Sequence, residues 1–183
     1  MVAMRVIAGT HRGRRLKAPD TPGTRPVTDR VKESVFSSLQ HRIRGAAVAD
    51  LFAGAGSFGI ESLSRGAASV VFVEQGREAL EALRANLRSL GLEATVERSD
   101  VLRWVDRGEW HFDVVFCDPP WPMDVATLTG VLERLRPHLE ESAVVVVTRR
   151  ATDPVPEPVG YAIDDDRRHG DTRIIRYMLE TTT

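Results

Sequence analysis

Cysteine is almost absent from this chain of 183 residues: Cys117 is the only one, and it lies within an apolar run. A single thiol in this setting supports neither a disulfide framework nor a thiolate metal cluster. The five histidines are scattered and never lie at metal-ligand spacing with a carboxylate or a thiol. The sequence therefore predicts no structural metal.

Long hydrophobic runs are also missing. The longest, such as AVVVV at 143–147, have five residues, whereas a helix that spans a bilayer needs about 20. No signal peptide is visible. We therefore expect a soluble, cytoplasmic monomer with no membrane partner, one hydrophobic core and a small appendage.

Lysine is scarce as well, and positive charge is unevenly distributed. Lys17 and Lys32 are the only lysines, and the formal net charge is -1. Residues 1–45 contain ten Lys and Arg against three Asp and Glu, whereas residues 46–183 contain 15 against 23. A basic arm ahead of an acidic body favours contact with a polyanion, with a solvated charged tail as the alternative.

The N-terminal part is predicted to form an arm and then a helix. Residues 1–27 alternate short apolar and basic segments around glycines, which indicates a small hairpin. Residues 28–183 are expected to form the main domain, beginning with a helix capped by Thr28. Apolar side chains at four-residue spacing make this helix amphipathic, namely Val31, Val35, Leu39 and Ile43.

After residue 46, apolar runs of strand length alternate with helical segments. Helices are predicted at 57–65, 77–90, 101–107 and 124–138, between strands rich in Val and Phe. Strands of this kind, buried on both faces, are typical of a doubly wound α/β fold with a parallel sheet. A last strand, RIIRYMLE at 173–180, is predicted to close the sheet with an antiparallel edge.

A glycine-rich loop follows the first predicted strand of the domain. Gly54, Gly56 and Gly59 form a G-x-G-x-x-G pattern between a strand and a helix, and Glu74 ends the next strand, 20 residues after Gly54. This arrangement is typical of nucleotide binding in Rossmann folds. On these features alone, a nicotinamide-dependent oxidoreductase is a candidate.

Two further acids shift the prediction toward S-adenosylmethionine. Asp50 ends the first strand, where a carboxylate would repel a pyrophosphate and attract a cation. S-adenosylmethionine carries both a sulfonium and an ammonium group, and Glu74 could accept hydrogen bonds from the ribose of either cofactor. Asp100, at the end of the third strand, could hold the adenine edge or cap the following helix.

The fourth strand ends in the tetrad Asp118, Pro119, Pro120 and Trp121. Its acid reaches the carboxyl edge of the sheet, where doubly wound folds bind ligands. The Asp118 carboxylate and the Pro119 carbonyl could each accept one N–H of an exocyclic amino group and stabilise the charge that develops on its nitrogen. Trp121 offers a flat face for a base taken out of its stack. A proline turn with a buried tryptophan is the structural alternative.

The segments DPPW, DLFAGAGSFG, TRPVTDRVKESVFSSL and HGDTRIIRY together resemble the RsmD family of bacterial methyltransferases. The resemblance covers nearly the whole chain. It implies a seven-stranded Rossmann-like domain that methylates N2 of guanine 966 in 16S ribosomal RNA, in a late assembly state of the small subunit. The chain departs from the family at Trp121, where Phe or Tyr is more frequent, and at His169, which replaces a tyrosine.

The resemblance and the charge pattern divide the predicted site into three groups. At the amino group and the base we expect the tetrad at 118–121. At the cofactor we expect Asp50, Phe52, Gly54, Gly56, Glu74, Asp100 and Val101. At RNA phosphates we expect Arg12, Arg14, Arg15, Lys17, Arg25 and Arg30.

Three alternatives stay open. The tetrad could equally hold N6 of adenine in DNA or RNA, the glycine loop could bind a nicotinamide cofactor, and the chain could be a non-catalytic RNA-binding module. If the arm contacts only RNA, removal of residues 1–17 is expected to leave the fold and cofactor binding intact.

Overall fold

The computed structural model describes residues 4–19 and 27–180. The helices are α1 (Asp29–Ser38), α2 (Ser57–Ser64), α3 (Arg77–Leu90), α4 (Val101–Trp104) and α5 (Val125–Leu135). The strands are β1 (Ala47–Leu51), β2 (Ser69–Glu74), β3 (Thr95–Arg98), β4 (Phe112–Cys117), β5 (Leu139–Arg150), β6 (Tyr161–His169) and β7 (Thr172–Leu179). Strands and helices alternate from β1 to β5, which confirms the predicted α/β fold.

All seven strands form one sheet in the order β3-β2-β1-β4-β5-β7-β6. The first five in this order are parallel, and β7 and β6 add two antiparallel strands. The chain moves outward from β1 to β3 and then returns to place β4 on the other side of β1. The strand order therefore reverses between β1 and β4, where the diverging loops of a doubly wound fold open a ligand-binding crevice.

Alternate side chains of the central strands build two hydrophobic layers. On one face, Phe72, Phe116 and Val146 pack with α1, α2 and α3. On the other face, residues such as Val115 and Val145 pack with α4 and α5. Because successive side chains of a strand point to opposite faces and both faces are covered, the strands read as almost continuous apolar runs.

Helix α1 begins where the sequence predicts. The hydroxyl of Thr28 accepts the Val31 N–H at 3.3 Å and caps the helix, and Asp29 lies in the first turn. A negative charge there interacts favourably with the helix dipole. The helix ends at Ser38, before the last two residues of the predicted apolar face. These two residues, Leu39 and Ile43, are nevertheless buried.

The N-terminal segment folds as the predicted hairpin. The Val6 N–H donates to the Arg14 carbonyl at 2.9 Å, and the Leu16 N–H donates to the Met4 carbonyl at 2.8 Å. The apolar side chains of the hairpin at 4, 6 and 16 are buried in the same cluster as α1 and α2. The hairpin is therefore part of the hydrophobic core as well as a carrier of positive charge.

A buried ion pair between Lys32 and Glu61 supports the hairpin. Glu61 of α2 accepts the N–H groups of Ile7 and Ala8 at 2.7 and 3.0 Å. Lys32 of α1, also fully buried, lies 3.7 Å from the Glu61 carboxylate and donates to the Arg5 carbonyl. Because loss of partners around a buried charge is strongly destabilising, we expect removal of residues 1–17 to destabilise the fold, contrary to the expectation from the sequence.

The C-terminal region differs from the sequence prediction in one strand. The segment YAIDDDRRH forms β6, which the sequence analysis missed, and β7 lies inside the sheet between β5 and β6. Most side chains of β6 are exposed because it is an edge strand, so it has no apolar alternation to reveal it. Two smaller differences concern helices: α4 ends at Trp104, and the helix predicted at 124–138 ends as a short 3-10 turn.

Within the described ranges the longest helix is α3, with 14 residues. None of the described helices is both long enough and apolar enough to cross a bilayer.

Candidate functional site

A cleft of about 1000 Å³ opens at the carboxyl edge of the sheet, where the strand order reverses. The loops after β1 and β4 form its floor, and they leave the sheet side by side because the Asp118 N–H donates to the Leu51 carbonyl at 3.3 Å. This volume is at the upper end for small-molecule pockets, so it can hold a cofactor and a base together. The predicted site residues on its wall are Phe52, Gly54, Glu74, Val101, Asp118, Pro119, Pro120 and Trp121.

The glycine loop turns sharply between β1 and α2. Phe52 has a φ of 58°, a left-handed conformation that is rare for an aromatic residue. A Cβ at Gly54 would meet no atom within 4 Å, so the backbone is open to the cleft there. A Cβ at Gly56 would lie 2.4 Å from a leucine side chain of α3, and one at Gly59 would lie 2.2 Å from an aromatic ring of β2. Gly54 thus gives a ligand access, whereas Gly56 and Gly59 allow close packing behind the loop.

Glu74 lies at the end of β2, on the cleft wall. Its Oε2 accepts the Gly54 N–H at 2.8 Å, and its Oε1 accepts the Gly76 N–H at 2.7 Å. These bonds hold the carboxylate between the glycine loop and the start of α3. Because a carboxylate offers about four acceptor positions, Glu74 can accept two more hydrogen bonds from a ligand in the cleft.

Asp50 lies behind the cleft wall. Its side chain is buried, and its Oδ2 accepts the Gly59 N–H of α2 at 2.8 Å. Burial raises the pKa of Asp50 well above its usual range against the opposing effect of that hydrogen bond, and the negative charges of Asp118 and Glu74 raise it further. In this position Asp50 fixes the first turn of α2 to the sheet.

Asp100 and Val101 begin α4. Asp100 accepts the Leu102 N–H at 2.9 Å and so caps the helix, which is one of the two roles that the sequence left open. Among the described residues, Val101 lines the cleft and Asp100 does not. Asp100 therefore orients the helix that presents Val101.

Asp118 is half-buried at the cleft wall, directly after β4. Burial raises its pKa to about 6, and a hydrogen bond from the Thr148 hydroxyl to its Oδ1 opposes this shift because it favours the ionised form. Thr148 reaches Asp118 because β4 and β5 are in register, with Cys117 beside Val147. The sequence analysis missed Thr148, whose only signal is its place at the end of a valine run.

Arg149 supports the loop after Asp118 from behind. It is buried, and its guanidinium donates to the Met123 carbonyl at 2.8 Å and lies 2.9 Å from the Asp153 carboxylate. A buried guanidinium is stable only when it is paired in this way. Arg149 therefore fixes the far end of the segment that begins with the two prolines.

Trp121 lies partly exposed at the mouth of the cleft. The guanidinium of Arg150, the last residue of β5, lies over its ring, with Cζ 4.4 Å from the ring centroid. At an exposed site such a cation–π contact is worth about 0.5–1 kcal/mol. A side chain that the sequence analysis did not name thus lies on the ring expected to receive the base.

Ser57, the first residue of α2, is another residue that the sequence analysis missed. It is 7% exposed and lines the cleft, and its hydroxyl has no hydrogen-bond partner among the described residues. A buried hydroxyl without a partner costs about 1–3 kcal/mol, and a ligand in the cleft can supply that partner. Its sequence signal is a polar residue directly after the second glycine of the loop.

The arm takes part in the cleft. Among the lining residues that precede α1 are Met4, Ala18, Pro19 and Val27. Asn86 of α3 connects this segment to the glycine loop, because its amide donates to the carbonyls of Lys17 and Ala55 at 3.0 and 3.1 Å. The arm therefore forms part of the ligand-binding wall.

The cationic side chains of the arm have a different environment. Arg12, Arg14, Arg15 and Lys17 are exposed, and so is Arg30 in the first turn of α1. Arg14 donates to the Ser89 carbonyl at 3.0 Å. Arg25 lies outside the described residues. The positive charge of the hairpin is therefore accessible to a large anionic partner.

Two further observations concern His169 and the residue types that bind metals. The Nε2 atom of His169 lies 2.8 Å from the Ser34 hydroxyl, so this residue connects β6 to α1. In the part of the chain that the structure describes, no group of three or more His, Cys, Asp or Glu side chains is arranged to hold a metal ion.

The chain matches one family model and several known proteins. The family model described as conserved hypothetical protein 95 matches residues 4–178. The chain is 33% identical to ribosomal RNA small subunit methyltransferase D of Haemophilus influenzae over 183 residues, which covers 96% of this chain and 92% of the relative. It is 32% identical to the Escherichia coli K12 protein of the same name over 179 residues, covering 97% and 90%.

A solved structure agrees with this relationship. The Escherichia coli protein yhhF, described as a candidate methyltransferase, superposes with a TM-score of 0.87 at 30% identity, over 98% of this chain and 99% of that one. The predicted resemblance to the RsmD family is confirmed. The chain belongs to the family described as conserved hypothetical protein 95, and it is an S-adenosylmethionine-dependent methyltransferase.

Proposed function

We propose that this methyltransferase transfers a methyl group from S-adenosylmethionine to N2 of a guanine in 16S ribosomal RNA. The observation that carries the proposal is the position of Asp118, a half-buried acceptor followed by the Pro119 carbonyl and an aromatic ring, on the wall of a nucleoside-sized cleft. The two curated relatives carry the name of small-subunit ribosomal RNA methyltransferases and align over nearly the whole chain. This supports ribosomal RNA of the small subunit as the substrate, with guanine 966 as the target of the family type.

The residues present fit the cofactor. Glu74 has acceptor capacity for two ribose hydroxyls, and the unpartnered hydroxyl of Ser57 can bond the polar end of the methionine part. Val101 and Phe52 present apolar surface, against which an adenine ring can pack. Gly54 leaves the backbone accessible, whereas Asp50, Gly56 and Asp100 hold the loop and helix in place from behind.

The reaction requires hydrogen-bond acceptors that hold the amino group toward the methyl group. When bound, S-adenosylmethionine supplies an electrophilic methyl group on a sulfonium. The Asp118 carboxylate and the Pro119 carbonyl each accept one N–H, which directs the nitrogen lone pair toward the methyl carbon. As the nitrogen takes up the methyl group, it would lose one proton to the Asp118 carboxylate or to water.

No covalent enzyme intermediate is needed. Cys117, the one cysteine of the sequence, directly precedes Asp118, but it lies on a buried strand, and burial raises its pKa well above its usual range. A neutral, buried thiol is a poor nucleophile. The methyl group therefore passes directly to the amino nitrogen.

The exposed cations of the arm extend the proposed RNA contact beyond the cleft. Exposed cations at 12, 14, 15, 17 and 30 lie on the segment that also forms part of the cleft wall. Phosphate contacts set position and affinity, whereas the tetrad contacts only the extruded base. We infer that residues 1–27 act as the RNA-contacting arm and residues 28–183 as the catalytic domain, in a cytoplasmic monomer that meets a late assembly state of the small subunit.

The proposal is tested by labelled methyl transfer to small subunits from cells that lack this protein. After digestion, the label is expected in N2-methylguanine at one position of 16S RNA. Label in N6-methyladenine would instead favour the adenine alternative, and no transfer to any small-subunit RNA would contradict the proposal.

The RNA contact has its own test. Replacement of Arg12, Arg15 and Lys17 by Gln is expected to flatten the log–log salt dependence of subunit binding by roughly 0.7–0.9 for each lost phosphate contact. Arg107, an exposed arginine outside the arm, provides the control as Arg107→Gln. Equal slopes for the triple variant and the control would contradict the electrostatic role of the arm.

A further inference from the structure

Arg150 differs from the arginines around it. Arg149 is paired with Asp153, and Arg173 is paired with Asp166. The guanidinium of Arg150, in contrast, makes no hydrogen bond or ion pair that the described part of the structure records, and it is exposed at the mouth of the cleft. Its observed contact is the ring of Trp121. The donors of this side chain are therefore available to a ligand that reaches Trp121.

The register of the sheet places Arg150 on the same side as the catalytic acid. Phe116 and Val146 are neighbours on β4 and β5, and both side chains pack on the α1 face. Two residues later, Asp118 and Thr148 continue these positions and are joined by a hydrogen bond. Arg150 follows after two more residues, so it lies on the same face, about 6.6 Å farther along the strand.

One edge of guanine offers acceptors to a donor that lies beyond Asp118 on the same face. A guanine whose N2 lies at Asp118 carries its O6 acceptor at the other end of the same edge, with N7 beyond it. Arginine donates to O6 and N7 as a planar fork, and this pair is the commonest specific contact to guanine. An adenine whose N6 lies at Asp118 presents only a C–H at the far end of that edge, so it would leave the guanidinium without an acceptor there.

We propose that Arg150 is a specificity-determining residue, which donates to the O6 edge of the guanine whose N2 is held by Asp118. The proposal rests on the proposed function and adds to it the selection of guanine over adenine. Arg150 thus makes the end of β5 the part of the site that distinguishes the base.

The free space around Asp118 indicates where the base lies. A second recess next to Asp118, Trp121 and Thr148 measures about 30 Å³, against about 1000 Å³ for the main cleft. The base therefore enters the main cleft, where it lies on Trp121 and displaces the guanidinium from the ring. A base stacked on an aromatic side chain is bound more strongly than an exposed cation–π contact. The guanidinium then moves to the edge of the base, which its position at the end of β5 allows.

The test compares two bases that both carry the 2-amino group. Small subunits are reconstituted from ligated 16S RNA with guanine or 2-aminopurine at the target position, and 2-aminopurine lacks O6. The full-length enzyme is expected to prefer guanine in kcat/KM by roughly 10-fold to 100-fold. Arg150→Met is expected to lose rate on guanine, to keep its rate on 2-aminopurine, and so to reduce this preference several-fold or more. Arg150→Lys, which keeps the charge but not the fork, is expected to lie between the two.

Two outcomes would overturn the role of Arg150, and a third would contradict the proposed function. An unchanged guanine preference in Arg150→Met overturns the role of Arg150. An equal loss of rate on both bases also overturns it, because a phosphate contact or support of Trp121 would act in that way. Failure of the unmodified enzyme to label N2 of guanine contradicts the proposed function itself, and it is seen without any variant. Cofactor affinity verifies that each variant is folded, and Arg107→Met is the matched control.

Discussion

The two halves of the cleft use different parts of the chain. In the half proposed to hold the cofactor, between β1 and β2, the backbone of the glycine loop lines the cleft, and Glu74 is held by the N–H groups of Gly54 and Gly76. In the half proposed to hold the base, at β4 and β5, side chains line the cleft: Asp118 is supported by Thr148, and Arg150 lies over Trp121. The first half is defined by local turns of the chain, and the second by contacts between strands.

The two halves also differ in their dependence on pH. The pKa of Asp118 is raised to about 6 by burial, so this acid loses its negative charge when the pH falls below about 6. The backbone groups of the glycine loop in the cofactor half do not titrate. We therefore expect methyl transfer to weaken through Asp118 as the pH falls below about 6.

The largest expected effect comes from the base half. Asp118→Ala is expected to lower kcat by on the order of 100-fold or more, because the lost acceptor acts mainly when charge develops on nitrogen. The dissociation constant of S-adenosylmethionine should stay within a few fold of the original. Steady-state kinetics and calorimetry measure the two quantities, and near-normal turnover would remove Asp118 from the mechanism.

The corresponding change in the cofactor half is Glu74→Ala. It is expected to weaken S-adenosylmethionine binding by roughly 1.5–3 kcal/mol, the range for hydrogen bonds to a charged group. This corresponds to a dissociation constant roughly 10-fold to 150-fold higher. Glu93→Ala, an exposed carboxylate outside the cleft, is the control in calorimetry. Equal affinities for the two variants would mean that the ribose does not contact Glu74.

Ser57→Ala gives a smaller effect that separates binding from folding. Loss of one hydrogen bond to the cofactor is expected to weaken affinity by about 0.5–1.5 kcal/mol. The melting temperature without cofactor is expected to stay equal or to rise, because the variant removes a buried hydroxyl that has no partner among the described residues. Calorimetry and thermal unfolding test both parts. A lower melting temperature with unchanged affinity would assign Ser57 a purely structural role.

The smallest effect is a shift in the pH profile. The Thr148 hydroxyl donates to Asp118 and favours its ionised form, so its removal in Thr148→Val is expected to raise the apparent pKa of Asp118. Activity should then fall several-fold near pH 6 and recover at pH 8, where the carboxylate is ionised in both proteins. Thr148→Ser keeps the hydroxyl and should restore the original profile of kcat against pH. A uniform loss at all pH values would contradict this role.

The sequence predicted the cofactor half more completely than the base half. The pattern around Gly54 and the acid at Glu74 are local signals, because a strand, a tight turn and a helix follow one another within a few residues. Even there, the sequence could not show that Asp50 and Gly56 lie behind the wall, since the direction of a side chain depends on what packs against it.

In the base half, the tetrad at 118–121 was visible in the sequence and its partners were not. Thr148 and Arg150 follow a run of valines, and nothing within β5 distinguishes them from residues at the end of any buried strand. The edge strand β6 was missed for a related reason, because its exposed, charged side chains carry no periodic apolar signal. The hairpin was recognised by its charge, although its apolar side chains also contribute to the core.

By itself, the sequence determined the alternation of strands and helices from β1 to β5, the glycine turn, the N-cap of α1 and the type of reaction expected at the DPPW tetrad. Each of these depends on residues close together in the chain, where backbone sterics and side-chain periodicity act directly. The tertiary structure alone decided which carboxylates face the cleft, that Thr148 supports Asp118, and that the arm forms part of the cleft wall. These features arise where parallel strands that are far apart in sequence pair in register. A local sequence pattern does not show which strands will pair.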